Sequence, residues 1–149
     1  MKRENMGFDV KMLAYCGLYC EQCSARVAFL EQNAKHLEYF PAKYKVERPT
    51  LSNYDCEGCK GRNICGPCTI KSCASTKNIE SCAECNSFPC ATLEAFGSDG
   101  VPHHGQAIKN LQHIRLSGNE AWFENIGPTL RCHCGERQSW YYVCPLHGE

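Results

Sequence analysis

No apolar run in this sequence approaches the roughly 18–20 residues that a helix needs to cross a bilayer. Net charge is missing too, since 16 Lys plus Arg are matched by 16 Asp plus Glu. The balance is local as well: residues 1–50 carry eight basic and six acidic side chains, and residues 91–149 carry four and six. No stretch concentrates the positive charge that grips a duplex backbone, so nucleic acid is not indicated as a partner. The opening MKRENMGFDVKMLAYCG has a basic tip without the apolar centre of a secretory signal. These absences lead to the expectation of a protein that does not enter a membrane and works in the reducing cytoplasm, where thiols persist unpaired.

What the chain has in excess is cysteine, 14 residues of 149. They recur as C-x2-C pairs: Cys56/Cys59, then CGPCTIKSC (Cys65, Cys68, Cys73) and CAECNSFPC (Cys82, Cys85, Cys90). The last two stretches share the pattern C-x2-C-x4-C and form an internal repeat. A two-residue gap lets the chain turn so that both sulfurs converge at about 2.3 Å on one ion, with amide N–H groups left to soften the thiolate charge. Gly58 and Gly66 fall inside two of the pairs, where a tight turn calls for positive φ. Repeated pairs suit metal thiolates better than disulfides.

The first motif, CGLYCEQC, sets Cys16, Cys20 and Cys23 at C-x3-C-x2-C. Such a triad can hold three irons of a four-iron cluster for radical chemistry, or be part of a zinc cage. The radical enzymes need a partial β/α barrel of roughly 200 residues. This chain has neither that length nor that alternation of strand and helix. At the other end, RCHCGERQSWYYVCPLHG offers a complete set, Cys132 and Cys134 on one knuckle, Cys144 and His147 on the other. Its first knuckle is one residue short, so one of its cysteines alone or His133 is an alternative ligand. Setting this group aside leaves eleven cysteines, two closed cages and three ligands over. The surplus falls on Cys16, Cys20 and Cys23, for which His36, His103, His104 or His113 is a candidate fourth ligand, although each reads more readily as a surface residue.

Apolar spacing predicts helices near 24–39, 90–97 and 106–117, and a further helical piece over NEAWFENIG. The first carries Val27, Leu30, Ala34 and Leu37 as its stripe. Residues 56–90 have almost no apolar periodicity, so ions are expected to order them. From Leu130 onward the aromatic, β-branched QSWYYVC reads as one strand of a β-hairpin. The expected class is therefore α+β: small helices around a metal-stapled loop region, with a C-terminal zinc-ribbon-like hairpin. Two parts are expected, 1–128 and 129–149.

YCGLYCEQCSA, DCEGC, CGPCTIKSCA, IESCAECNSFPCATLEAF and IKNLQHIRLSGNEAWFE follow one another in an order that resembles the prokaryotic, cysteine-rich family called domain of unknown function 3795. The likeness runs from Tyr15 to about Phe123, and the C-terminal Cys/His segment is similar to the ribbon that longer members append. The resemblance implies a small cytoplasmic protein with bound zinc or an iron–sulfur cluster and brings no activity with it.

The expected function is that of a non-catalytic, zinc-binding protein holding several ions, whose ordered surface binds a protein partner. A 4Fe–4S redox or electron-transfer protein is the alternative, and metal handling or thiol-redox sensing the third reading. Hydrolysis has one placed carboxylate, Glu21, which reads as a solvated residue of the first knuckle.

Overall fold

The computed structural model describes residues 7–64 and 68–147. Its architecture is helical, and this corrects the α+β expectation. Five α-helices are found among the described residues: α1 (Ser24–Glu31), α2 (Thr69–Lys77), α3 (Ala91–Gly97), α4 (Ala107–Ser117) and α5 (Asn119–Ile126). Short 3-10 turns join them, and extended pairing among the described residues is limited to isolated bridges.

The predicted helix over 24–39 is interrupted. Gln32 takes φ 50°, ψ 48° and closes α1, its amide bonding back to the Ala28 and Phe29 carbonyls. A 3-10 turn follows over Ala34–Leu37, capped by the Asn33 side chain. The buried face of α1 is Ser24, Ala25, Val27 and Ala28, while Leu30 is 46 % exposed. The stripe through Leu30 is thus off the true face. Helix α2 lies inside the segment that lacks periodicity: Ile70 and Ala74, four residues apart, are enough to anchor one face in the core.

The main core joins the loop around Leu13, Leu18 and Tyr19 to Ile70, Leu93, Leu111, Ile114, Trp122 and Leu130. Tyr19 and Trp122 meet edge to face at 5.5 Å between centroids, a favoured aromatic geometry. Asn110 on α4 ties three elements together: it donates to the Gly17 carbonyl at 2.8 Å and accepts from the Trp122 indole at 3.2 Å. A smaller cluster joins Ala25 of α1 to Phe40 and Tyr54.

The C-terminal segment forms no hairpin among the described residues. Bridges Arg131↔Arg137 and Ser139↔Tyr142 each close a tight turn, the first passing through Gly135 at φ 100°. The aromatic residues that suggested a strand pack on the helical body instead of a partner strand. Trp140 stacks on His103 at 4.1 Å, the Tyr141 hydroxyl bonds His103 Nδ1 at 2.8 Å, and Tyr142 meets the His36 ring at 4.3 Å. Backbone bonds fix the dock: Trp140 N–H donates to the Gln22 carbonyl and Tyr141 N–H to Ser24 Oγ.

Candidate metal centre

The turn chemistry of the C-terminal segment converges four ligand atoms. The Cys132 amide bonds the Glu136 carbonyl and the Gly135 amide returns to the Cys132 carbonyl, both at 2.8 Å, which folds the short first knuckle back on itself. Gln138 receives the Cys144 N–H on its side-chain oxygen at 2.8 Å and so fixes the second knuckle beside the first. Cys134 and Cys144 sulfurs then stand 3.7 Å apart, with His147 Nδ1 at 3.0 Å from Cys132 Sγ and 3.4 Å from Cys144 Sγ. All four ligand atoms of Cys132, Cys134, Cys144 and His147 lie within 4.8 Å of one another. Sulfurs bonded at about 2.3 Å to a tetrahedral ion are separated by about 3.8 Å, so the set has the size of a single-ion site.

Both cysteines of the short knuckle take part, and His133 is outside this group, its Nδ1 at 3.7 Å from Cys132 Sγ. The three cysteines differ in environment. Cys132 and Cys144 are buried, whereas Cys134 is half-buried and the Glu136 amide holds its thiol below the ordinary range.

The remaining described thiols gather in two neighbourhoods. In the first, Cys16 faces Cys59, Cys68 and Cys82, and Cys20 faces Cys23, Cys59 and Cys56, so that Cys82 joins this neighbourhood to the second. Here the Cys59 N–H donates to Cys20 Sγ at 3.2 Å, and Gly58, at φ 98°, donates to Cys56 Sγ at 3.4 Å. Cys16 and the Cys20/Cys23 pair thus look toward different neighbours, with Cys59 between them. In the second, Cys82 faces Cys85, Cys90 and Cys73. Cys65 and Gly66 lie outside the described residues.

Burial dominates the acid–base character of several of these thiols. It raises Cys16 and Cys20 well above the ordinary thiol range, and raises Cys23 and Cys82 to about 11. As neutral thiols they are acceptable in the core. As thiolates they need a cation, so metal binding here must release protons. Basic side chains stand ready beside them: Arg26 near Cys23, Lys71 and Lys60 near Cys59, and Lys77 at 3.0 Å from Cys85 Sγ.

Three of the four histidines considered as extra ligands go elsewhere. His36, His103 and His104 are buried, not surface residues. They bond Ser139, Tyr141 and Asp99, respectively. Glu21 is not a solvated knuckle residue either, since Arg26 and Arg137 both clamp its carboxylate. Sequence spacing had no means of showing these partners, which lie about a hundred residues away for His36 and for the Glu21–Arg137 pair.

A family described as "Protein of unknown function (DUF3795)" matches residues 12–95, more than half of the chain. The chain belongs to this family. The DUF3795 span takes in the first two thiol neighbourhoods and ends within α3, so α4, α5 and the C-terminal Cys/His set lie outside it. No curated protein matches the chain, and no solved structure does.

Proposed function

We propose that this DUF3795 protein is a non-catalytic metalloprotein of the cytoplasm, with zinc at Cys132, Cys134, Cys144 and His147. The observation that carries the reading is the convergence of four nitrogen and sulfur ligand atoms at single-ion separation, on knuckles held by backbone bonds. Soft thiolates with one imidazole in a tetrahedral frame favour zinc over the hard cations. A site with four protein ligands has no open position for substrate, which favours a structural role.

The energetic consequence is large. Structural zinc contributes on the order of 10–16 kcal/mol of apparent free energy, comparable to the roughly 5–15 kcal/mol of net stability of a whole domain. The ion fixes the 130–147 segment, whose Trp140, Tyr141 and Tyr142 are packed on the body. It thereby presents Leu146, 83 % exposed on the second knuckle, to solvent. We assign the ordered surface to contact with a protein partner. No helix among the described residues is long and apolar enough to cross a membrane.

The test is metal analysis of the purified protein alongside a Cys132→Ser, Cys144→Ser double variant. One zinc per chain should be lost in the variant, and hydrogen exchange should rise across 130–147. A double variant with undiminished zinc content would refute the assignment.

A further inference from the structure

A cavity of about 200 Å³ lies at the seam where the C-terminal segment docks on the helical body. Gln22 of the first cysteine motif, Gln106 ahead of α4 and Thr129 after α5 line it, together with Gln138, Ser139 and Trp140. Each of these side chains offers an amide, a hydroxyl or an indole N–H. None of the described residues that line the cavity is charged.

Much of this polar wall is committed to the fold. Gln138 accepts from the Cys144 N–H and donates to the Thr129 carbonyl at 3.0 Å. Thr129 Oγ1 donates to the Ile126 carbonyl at 2.6 Å, and Ser139 Oγ bonds Ser24 Oγ and His36 Nδ1. Two groups are left over: Gln22 Oε1, an acceptor, and the Trp140 indole N–H, a donor, are buried without a hydrogen-bond partner in the protein. They belong to neighbouring residues, since the Trp140 backbone N–H donates to the Gln22 carbonyl at 2.9 Å.

We infer that this cavity binds a small, uncharged molecule bearing a carboxamide or lactam edge. Such an edge carries a carbonyl acceptor and an N–H donor side by side. The carbonyl takes the Trp140 indole N–H, and the amide N–H gives to Gln22 Oε1. A buried donor or acceptor without a partner has forfeited its hydration for nothing, so a guest that pairs both recovers that loss. A single water offers the same two functions, but the space is well beyond what one water fills. Charge narrows the guest further. With no ion in the wall, a carboxylate or ammonium group is stripped of water without compensation. The indole is held for this role by His103, which covers one of its faces at 4.1 Å with the ring planes 9° apart. The Gln22 side chain turns on three single bonds, so its amide swings to meet the guest while the indole stays fixed. The inference goes beyond the metal reading and uses only the docked position of the C-terminal segment.

The experiment is a titration of the isotope-labelled protein, as purified, with benzamide and with γ-butyrolactam, followed by the indole N–H resonances. The chain has two tryptophans, and Trp122 is the internal control because its indole N–H already bonds Asn110 Oδ1 at 3.2 Å. Both probes should shift the Trp140 indole N–H saturably and leave that of Trp122 in place. Benzoate, the charged counterpart of benzamide without its N–H, should bind about tenfold more weakly. Gln22→Leu and Trp140→Phe should each weaken benzamide about threefold to tenfold, the worth of one neutral hydrogen bond. Binding to Trp140→Phe is read from the Gln22 side-chain amide. Should a variant fail to fold, the comparison of benzamide with benzoate on the wild-type protein still decides. Equal binding of the two, a shift at Trp122 as large as at Trp140, or no saturable shift overturns the inference. Glycerol binding as tightly as benzamide overturns it as well, in favour of a hydroxyl-bearing guest.

Discussion

Gly17 sits at the tip of the loop that carries the first cysteine, with φ 97°. A Cβ there would lie 2.6 Å from the Ala107 carbonyl oxygen and 2.7 Å from Leu111 Cγ. Neither neighbour yields easily, the first being helix backbone and the second a core side chain. Gly100 shares the positive φ, at 91°, yet nothing stands within 4 Å of its hypothetical Cβ. The pair therefore separates conformational strain from collision. Gly100→Ala should cost about 1 kcal/mol through backbone strain alone. Gly17→Ala should cost about 3 kcal/mol, with overpacking added. For a chain of this size the difference corresponds to roughly 4–8 °C in melting temperature. Equal melting temperatures for the two variants would show that the loop is free to lift away from α4. The same contact explains how Cys16 is held: its loop is pinned from below by the Asn110 bond to the Gly17 carbonyl.

At the scale of elements, legibility in the sequence followed locality. Helices α3, α4 and α5 were readable because each carries its own periodic apolar face and a glycine near its end. Leu111 and Ile114 are buried as the spacing demanded, and Trp122 packs on α4. Helix α2 escaped because Ile70 and Ala74 are too few to make a pattern among cysteines, and the break at Gln32 escaped because no glycine or proline marks it. The convergence of the C-terminal Cys/His group was legible, since its four residues lie within sixteen positions, 132 to 147. How the other thiols divide was not, because Cys20 and Cys59 meet across 39 residues. The strand reading of QSWYYVC failed for a related reason: its aromatic partners, His36 and His103, come from distant segments. One long-range contact makes the coupling testable. Arg137, 5 % exposed, donates to the Glu21 carbonyl at 2.9 Å and carboxylate at 3.0 Å, joining the 130–147 segment to the first cysteine motif. Removing Arg137 deletes its hydrogen bonds to Glu21 while Arg26 still pairs with the carboxylate, a loss of about 1.5–3 kcal/mol. Arg137→Met should therefore raise hydrogen exchange at 20–24 and at 137–142 together while leaving the metal content of the protein unchanged. A rise confined to one of these segments would mean that the pair does not couple them.

For the whole molecule, acid attacks on two fronts that can be told apart. Burial lowers His36 to about 4 and His103 to about 3, the His104 ring adding to the effect at His103. Both are therefore neutral in the fold and take up a proton far more readily once unfolded. The sign follows directly: above about pH 6.5 neither state is charged and the two histidines cost nothing. As pH falls from about 6.5 toward 4 and 3, the unfolded chain binds protons that the folded one refuses, and stability drops. Each tenfold loss of proton affinity on folding corresponds to about 1.4 kcal/mol, so either ring removes on the order of a few kcal/mol across that window. If the proposed zinc is bound, its thiolate ligands add a second loss as protons compete with the ion. Urea unfolding at pH 7 and pH 5.5, with zinc content followed by native mass spectrometry, separates the fronts. The midpoint should fall while zinc is still fully bound, and the His36 and His103 ring resonances should stay unmoved in the folded protein between pH 8 and 5. If the midpoint falls only in step with zinc release, or if either ring titrates near 6.5 in the folded state, these histidines are not the buried neutral groups that anchor Ser139 and Tyr141 to the body.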